Sequence, residues 1–358
     1  MHEDIIMKTL IYLIFIVLTN IALINLNSHA HGEPSLKTHL VGYYYPRNYR
    51  DKLERFSIPY TEIKLIDGRT LTTNGRGKTK AHGQVHSYVD ALNSIFVEIS
   101  DGNHFFQEAV LKNQAWLIDI FPEPGSMPWD DAKVAHTMPI YHIAKLRNLA
   151  KQYIDHHYLD EKRTVFVNVG RSCTNPWSDG KDFYLTNATN KCANTALIAD
   201  SIYYQWAEGL FIETGGIIDT PFSIGFADII TMLMTLDSKI GTGLFLFDKE
   251  RAFRDLKVIH TYPKDQGDPY KESLIISSAF WRLLQEFSQV YGVYEAHNLT
   301  AELAFNMIFK TRNYLGVYEA LLEIITEKRS LKHKRPLECL INKVFMSHGL
   351  AEKNPNCG

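Results

Sequence analysis

The stretch Ile198-Ala-Asp-Ser-Ile-Tyr-Tyr-Gln-Trp-Ala-Glu-Gly-Leu210 decides how this chain is read. Its apolar side chains recur at i, i+3 and i+4, the spacing that turns one face of an α-helix to a core. Tyr204 and Glu208 stand four apart and therefore share a face. Tyr204 is a poor electron donor at neutral pH, because a phenol titrates near about 10. Gln205 carries an amide, which takes no proton in the useful range. Glu208 alone offers an anionic oxygen.

Working outward, the same helical period runs over Phe222 to Leu236, Ser273 to Tyr291, Ala301 to Phe309, Val317 to Thr326 and Leu337 to His348, with a helix expected upstream from Tyr141 to Asp155. Before these, short apolar runs alternate with turn residues: Val41 to Tyr45, Glu62 to Ile66, Ile95 to Ile99, Ala115 to Ile120 and Thr164 to Val169 read as strands. Asp67-Gly68 and Asn74-Gly75 punctuate them. Phe121 to Pro128 holds three prolines and a glycine, which marks a linker. Strands first and helices afterwards give an α+β chain.

Several pieces, in order, resemble thermolysin-like and fungalysin-like zinc metallopeptidases, the gluzincins. They are Met138 to Ile143 before a helix, the Asn175 to Tyr184 hairpin, Asn194 to Tyr203, Gly215-Gly216 with Pro221 to Asp228, Asp268 to Trp281, and Leu340 to Leu350. The resemblance covers about Met138 to Leu350 and implies a thermolysin-like domain with a helical C-terminal lobe, preceded by a small β-rich domain. The implied division is a signal peptide at 1–30, the β-rich domain at 31–124, a linker at 125–137 and the degenerate peptidase-like domain at 138–358.

In that family a His-Glu-x-x-His helix supplies two zinc ligands four apart and a general base between them. The resemblance aligns Tyr204, Gln205 and Glu208 with those three residues, Ile224 with the third ligand, Asp228 with the carboxylate that orients a zinc histidine, and Tyr270 with the histidine that stabilises the transition state. One carboxylate does not hold a catalytic zinc, which typically needs three protein ligands. No cofactor is expected, and the site is expected to be catalytically inactive. Glu208 and Asp228 would lie close across neighbouring helices, either as an acid/base dyad of a rebuilt hydrolase or neutralised by hydrogen bonds from Tyr204 or Gln205. Under the non-catalytic reading, Trp177, Tyr184, Tyr204, Trp206 and Tyr270 are candidates to line a cleft. An extended peptide or protein segment would then add along the Asp182 to Thr186 strand edge. A cleft packed solid, in a structural or assembly factor, is the third reading.

The rest of the chain sets the compartment and the partners. With 38 Lys and Arg against 40 Asp and Glu, the formal charge of −2 and the lack of a long basic run argue against nucleic acid. Lys8, the apolar run Leu10 to Leu26 and Ser28-His29-Ala30 read as an export signal with a small-x-small cleavage site. A secreted or periplasmic protein without a stable membrane span is expected, the alternative being an uncleaved N-terminal anchor. Four cysteines in an exported chain favour disulfides, with Cys173 to Cys192 and Cys339 to Cys357 the local pairing. Fifteen histidines invite a search for a replacement metal site, and the pairs weighed are His156–His157 and His136–His142. His156 and His157 are adjacent, and His136 and His142 are six apart, so both pairs read as surface or hydrogen-bonded core residues.

Overall fold

The computed structural model describes residues 36–64, 70–81, 92–94, 97–100, 109–112, 115–120, 122, 124–171, 173, 177–178, 181–215, 220–248, 250–328 and 331–357. The expected export signal, the Asp67-Gly68 turn and Gly216 lie outside these residues. So does the side chain of Trp177.

The first part is strands. β1 (Leu36–Tyr44) lies between antiparallel β2 (Glu54–Ser57) and parallel β9 (Ala115–Asp119), which pairs with β8 (Ala109–Lys112); β5 (Lys78–Ala81) also joins β1. A second sheet runs in the order β11 (Trp177–Ser178), β12 (Phe183–Asn187), β10 (Arg163–Arg171), β7 (Val97–Ser100), β6 (Leu92–Ser94), β3 (Thr61–Lys64), β4 (Thr70–Thr72). This sheet draws strands from both sides of residues 125–137, because β7 pairs in parallel with β10.

Part of the expected linker is helix. α1 spans Ala132–Ala150 and starts well before Tyr141, because the Asp131 carboxylate caps it by accepting from the Lys133 and Val134 amides. Pro139 sits inside α1, where it removes one ladder hydrogen bond. The buried face of α1 holds it to β1: the Tyr45 amide donates to Met138 Sδ at 3.1 Å, and His142 Nε2 meets the Tyr45 carbonyl at 3.0 Å. A carbonyl only accepts, so Nε2 carries the proton and Nδ1 accepts from the Tyr203 hydroxyl at 2.6 Å. Burial drives the His142 pKa down to about 3, and His142 stays neutral.

The helices follow as α2 (Ala199–Glu213), α3 (Thr220–Thr235), α4 (Pro269–Tyr291), α5 (Val293–Met307), α6 (Val317–Lys328) and α7 (Leu331–Ser347), with a two-residue ribbon of β13 (Lys239–Ile240) and β14 (Arg254–Asp255) between α3 and α4. α5 begins at Val293 rather than Ala301, directly after Gly292, whose φ of 81° reverses the chain. Its first turns carry polar residues that hide the period. α4 is the spine, packed against α3, α5 and α7. α3 and α4 approach closely because residue 225 is glycine: a Cβ there would collide with Ile276 and sit 3.0 Å from the Ser273 carbonyl. Phe211 of α2 meets Phe222 of α3 edge-to-face at 5.1 Å, and Phe280 and Phe345 pack α4 on α7. Burying each such ring is worth about 1.5–3 kcal/mol. Both expected disulfides are present, Cys173–Cys192 with Cα atoms 5.5 Å apart and Cys339–Cys357 with 5.2 Å.

Candidate functional site

α2 leaves one stripe outside the core: Ser201, Tyr204 and Glu208, spaced three and four apart, are half-buried while the residues between them are buried. Gln205 points into the protein with no exposed surface. Trp206, expected to line a cleft, is 2% exposed and belongs to the core; its ring meets Tyr158 at 5.2 Å, and the Tyr158 hydroxyl donates to the Trp206 carbonyl at 2.9 Å. The helical period does not separate a core tryptophan from a lining one, which is why that expectation failed.

α3 brings Ile224 and Asp228 to α2, both buried. The residue that organises the centre comes from elsewhere. Arg254, on β14 and 8% exposed, donates from Nη1 to both oxygens of Asp228 at 2.8 Å. Its guanidinium carbon lies 5.3 Å from the Tyr204 ring centre, 5.9 Å from Tyr270 and 6.0 Å from Phe253. Asp228 is therefore neutralised by an arginine, not by Tyr204 or Gln205 as expected. Glu208 and Asp228 share no hydrogen bond, so they do not form the expected dyad.

The electrostatics follow from burial around one fixed cation. Burial pushes Glu208 up to about 7, against the pull of Arg254. Burial likewise raises Asp228, opposed by Arg254 and by a hydrogen bond with Ser277. Because a guanidinium stays protonated throughout the accessible range, Asp228 is held as its counter-ion. Tyr204 is pushed up by burial and by the two carboxylates and remains a neutral phenol. Among the described residues, no group of three or more His, Cys, Asp or Glu side chains is placed to hold a metal.

Above this centre lies a shallow pocket lined by Asp200, Ser201, Tyr204, Gly241, Phe253 and Arg254, among others. Two clamps hold its walls. Asp200, 1% exposed, accepts from the Gly241 amide at 2.7 Å and from Arg47, which also reaches Asp237. Cys192, bonded to Cys173, is bridged to Phe245, and the Ala193 amide donates to the Leu244 carbonyl at 2.9 Å. Tyr270 is 59% exposed at the start of α4, where the Asp268 side chain accepts its amide at 2.9 Å. Phe247, at 85%, is also uncovered.

The strand edge expected to take a peptide is largely occupied. Phe183 and Tyr184 of β12 pair with Ser178 and Trp177 of β11, and the Thr186 amide donates to Thr195 Oγ1 at 2.6 Å. Tyr184 is half-buried and stacks on Phe166 at 4.9 Å inside the sheet. β11 is thus the outermost strand, and the edge for any added strand moves to Trp177-Ser178.

No protein-family model matches the chain, and no curated protein matches it. Among solved structures, the precursor of protealysin, a metalloproteinase from Serratia proteamaculans, matches with a TM-score of 0.54, over 72% of this chain and 88% of that one. The fold is thermolysin-like. At 12% identity the likeness shows the architecture alone. The two disulfides fit an oxidising compartment, and among the described residues no helix is long and apolar enough to cross a membrane.

Arg254 is the residue that sequence reading missed. Its partner is 26 positions away on another element, and nothing around a lone arginine between turns marks it. Asp228, a buried acid in an apolar helix, is the one signal that a cation had to be near.

Proposed function

We propose that this protein is exported and binds an extended peptide or protein segment in the residual cleft of a thermolysin-like fold without cutting it. The observation that carries this reading is the face of α2: a neutral phenol at Tyr204 and a carboxyl at Glu208 stand where zinc histidines are needed, and the buried Gln205 amide replaces the base. Exposed Phe253 and Tyr270 around the centre leave apolar surface for a ligand. Binding is tested by calorimetry against a library of extended peptides. Affinity falling about tenfold or more in Tyr270→Ala, with no cleavage detected by mass spectrometry, supports the reading. Turnover abolished by a chelator overturns it.

A second reading rests on Glu208, whose half-buried carboxyl burial pushes up to about 7, where a general acid or base works best. It makes the protein a hydrolase with a rebuilt, non-zinc site in which Glu208 acts and Asp228, already engaged by Arg254, supports. Its signature is peptidase activity that survives chelation and disappears in Glu208→Gln.

A further inference from the structure

The donor set around α2 and α3 does not suit a dication. Ile224 has no lone pair, Tyr204 stays protonated, and the Asp228 oxygens are both engaged. Yet the centre is not empty of positive charge. Arg254 carries one unit of it to the meeting point of α2, α3 and α4, touching Asp228 of α3 and lying between the Tyr204 and Tyr270 rings of α2 and α4. A single buried carboxylate with a cation at 2.8 Å is balanced; the same carboxylate without one is an uncompensated charge in the core.

We propose that the Arg254 guanidinium is the resident cation of this centre, a covalently tethered counter-charge in the role that a divalent ion fills in metalloproteinases of this fold. A monocation suffices because Asp228 is fully buried with both oxygens engaged by Arg254, while Glu208 remains half exposed. Tethering fixes the stoichiometry at one and makes the helical junction independent of metal supply. The Tyr204 and Tyr270 faces complete the shell, since aromatic quadrupoles accept a guanidinium better than water-stripped alkyl groups do. The inference rests on the same loss of zinc donors as the proposed function, but it does not depend on peptide binding.

The experiment is a double-mutant cycle by thermal unfolding of the full oxidised chain, run with EDTA and with excess zinc chloride. Arg254→Met and Asp228→Asn singly are each expected to lower Tm by roughly 5 to 15 °C, and the double variant to fall by clearly less than the sum. The Tm of the unmutated protein is expected to be the same with EDTA and with zinc. Should Arg254→Met fail to fold, recovery of soluble protein on adding Asp228→Asn reports the same coupling, and lack of recovery overturns it. Strict additivity in the cycle overturns the inference while leaving the binding role intact. Zinc raising the Tm of the unmutated protein with one-to-one stoichiometry sinks both.

Discussion

Among the described residues, two buried aspartates, Asp200 and Asp228, pair with arginines only a helix apart, and the pairs are built differently. Asp200, at the start of α2, has three sources of support: Arg47 at 3.2 Å, the Gly241 amide at 2.7 Å, and the positive end of its own helix. Arg47 is itself shared with Asp237 and keeps 20% of its side chain in solvent. Asp228, in the middle of α3, has one cation, and that cation is nearly as buried as the carboxylate. The first pair is a redundant clamp between loops. The second is a closed unit: among the described residues, Arg254 is the one cation paired with Asp228.

The largest effect is therefore expected at the closed unit. Arg254→Met should cost about 3–5 kcal/mol of unfolding free energy, because Asp228 is left buried and uncompensated. A denaturant titration showing less than 1 kcal/mol would mean that water reaches Asp228 and that the two pairs are alike. Next comes the disulfide beside the redundant clamp. Replacing both Cys173 and Cys192 by serine releases a loop with a sequence separation of 19 and should cost about 3 kcal/mol. The loss should fall on exchange protection of Gly241 to Phe245 and spare Asp228, since Ala193 pairs with Leu244; hydrogen-exchange mass spectrometry separates the two. Arg47→Met should cost only about 1–2 kcal/mol, because the Gly241 amide keeps its bond to Asp200. A cost equal to that of Arg254→Met would erase the contrast.

A third buried ionisable group shows the other solution, which is to carry no charge. Burial pushes the His142 pKa down to about 3 in the folded protein, against an ordinary 6.5, outweighing its hydrogen bond to the Tyr45 carbonyl. The unfolded chain binds a proton in that window and the folded chain does not, so stability falls as pH drops from 6.5 toward 3. The slope approaches about 1.4 kcal/mol per pH unit. His142→Gln should remove that share of the slope between pH 6.5 and 5, where most carboxylates are still ionised. An unchanged slope in matched urea titrations would show that His142 reaches water.

Much of the architecture could be read in the sequence because the helical period and the turn residues are local. The disulfides followed because each bracketed segment is short. The misreadings share a cause. The late starts expected for α1 and α5 missed a cap at Asp131 and a polar first turn after Gly292, neither of which shows in the apolar period, and Trp206 is apolar in either role. The occupied β12 edge and the Arg254 partner are long-range facts, set by which strand lands beside which, and no spacing rule encodes them. The candidate helix was therefore found, while the charge that completes it was not.

Gly225 sits three residues before Asp228 on α3, so both lie on the face that meets α4. With no side chain at that contact, the two helix backbones nearly touch, and the azimuth of the carboxylate is set by hard contact. An alanine there would wedge the helices apart and swing Asp228 off its partner without altering a single charged residue. The tolerance of this centre to sequence drift is thus set at a position with no functional group at all.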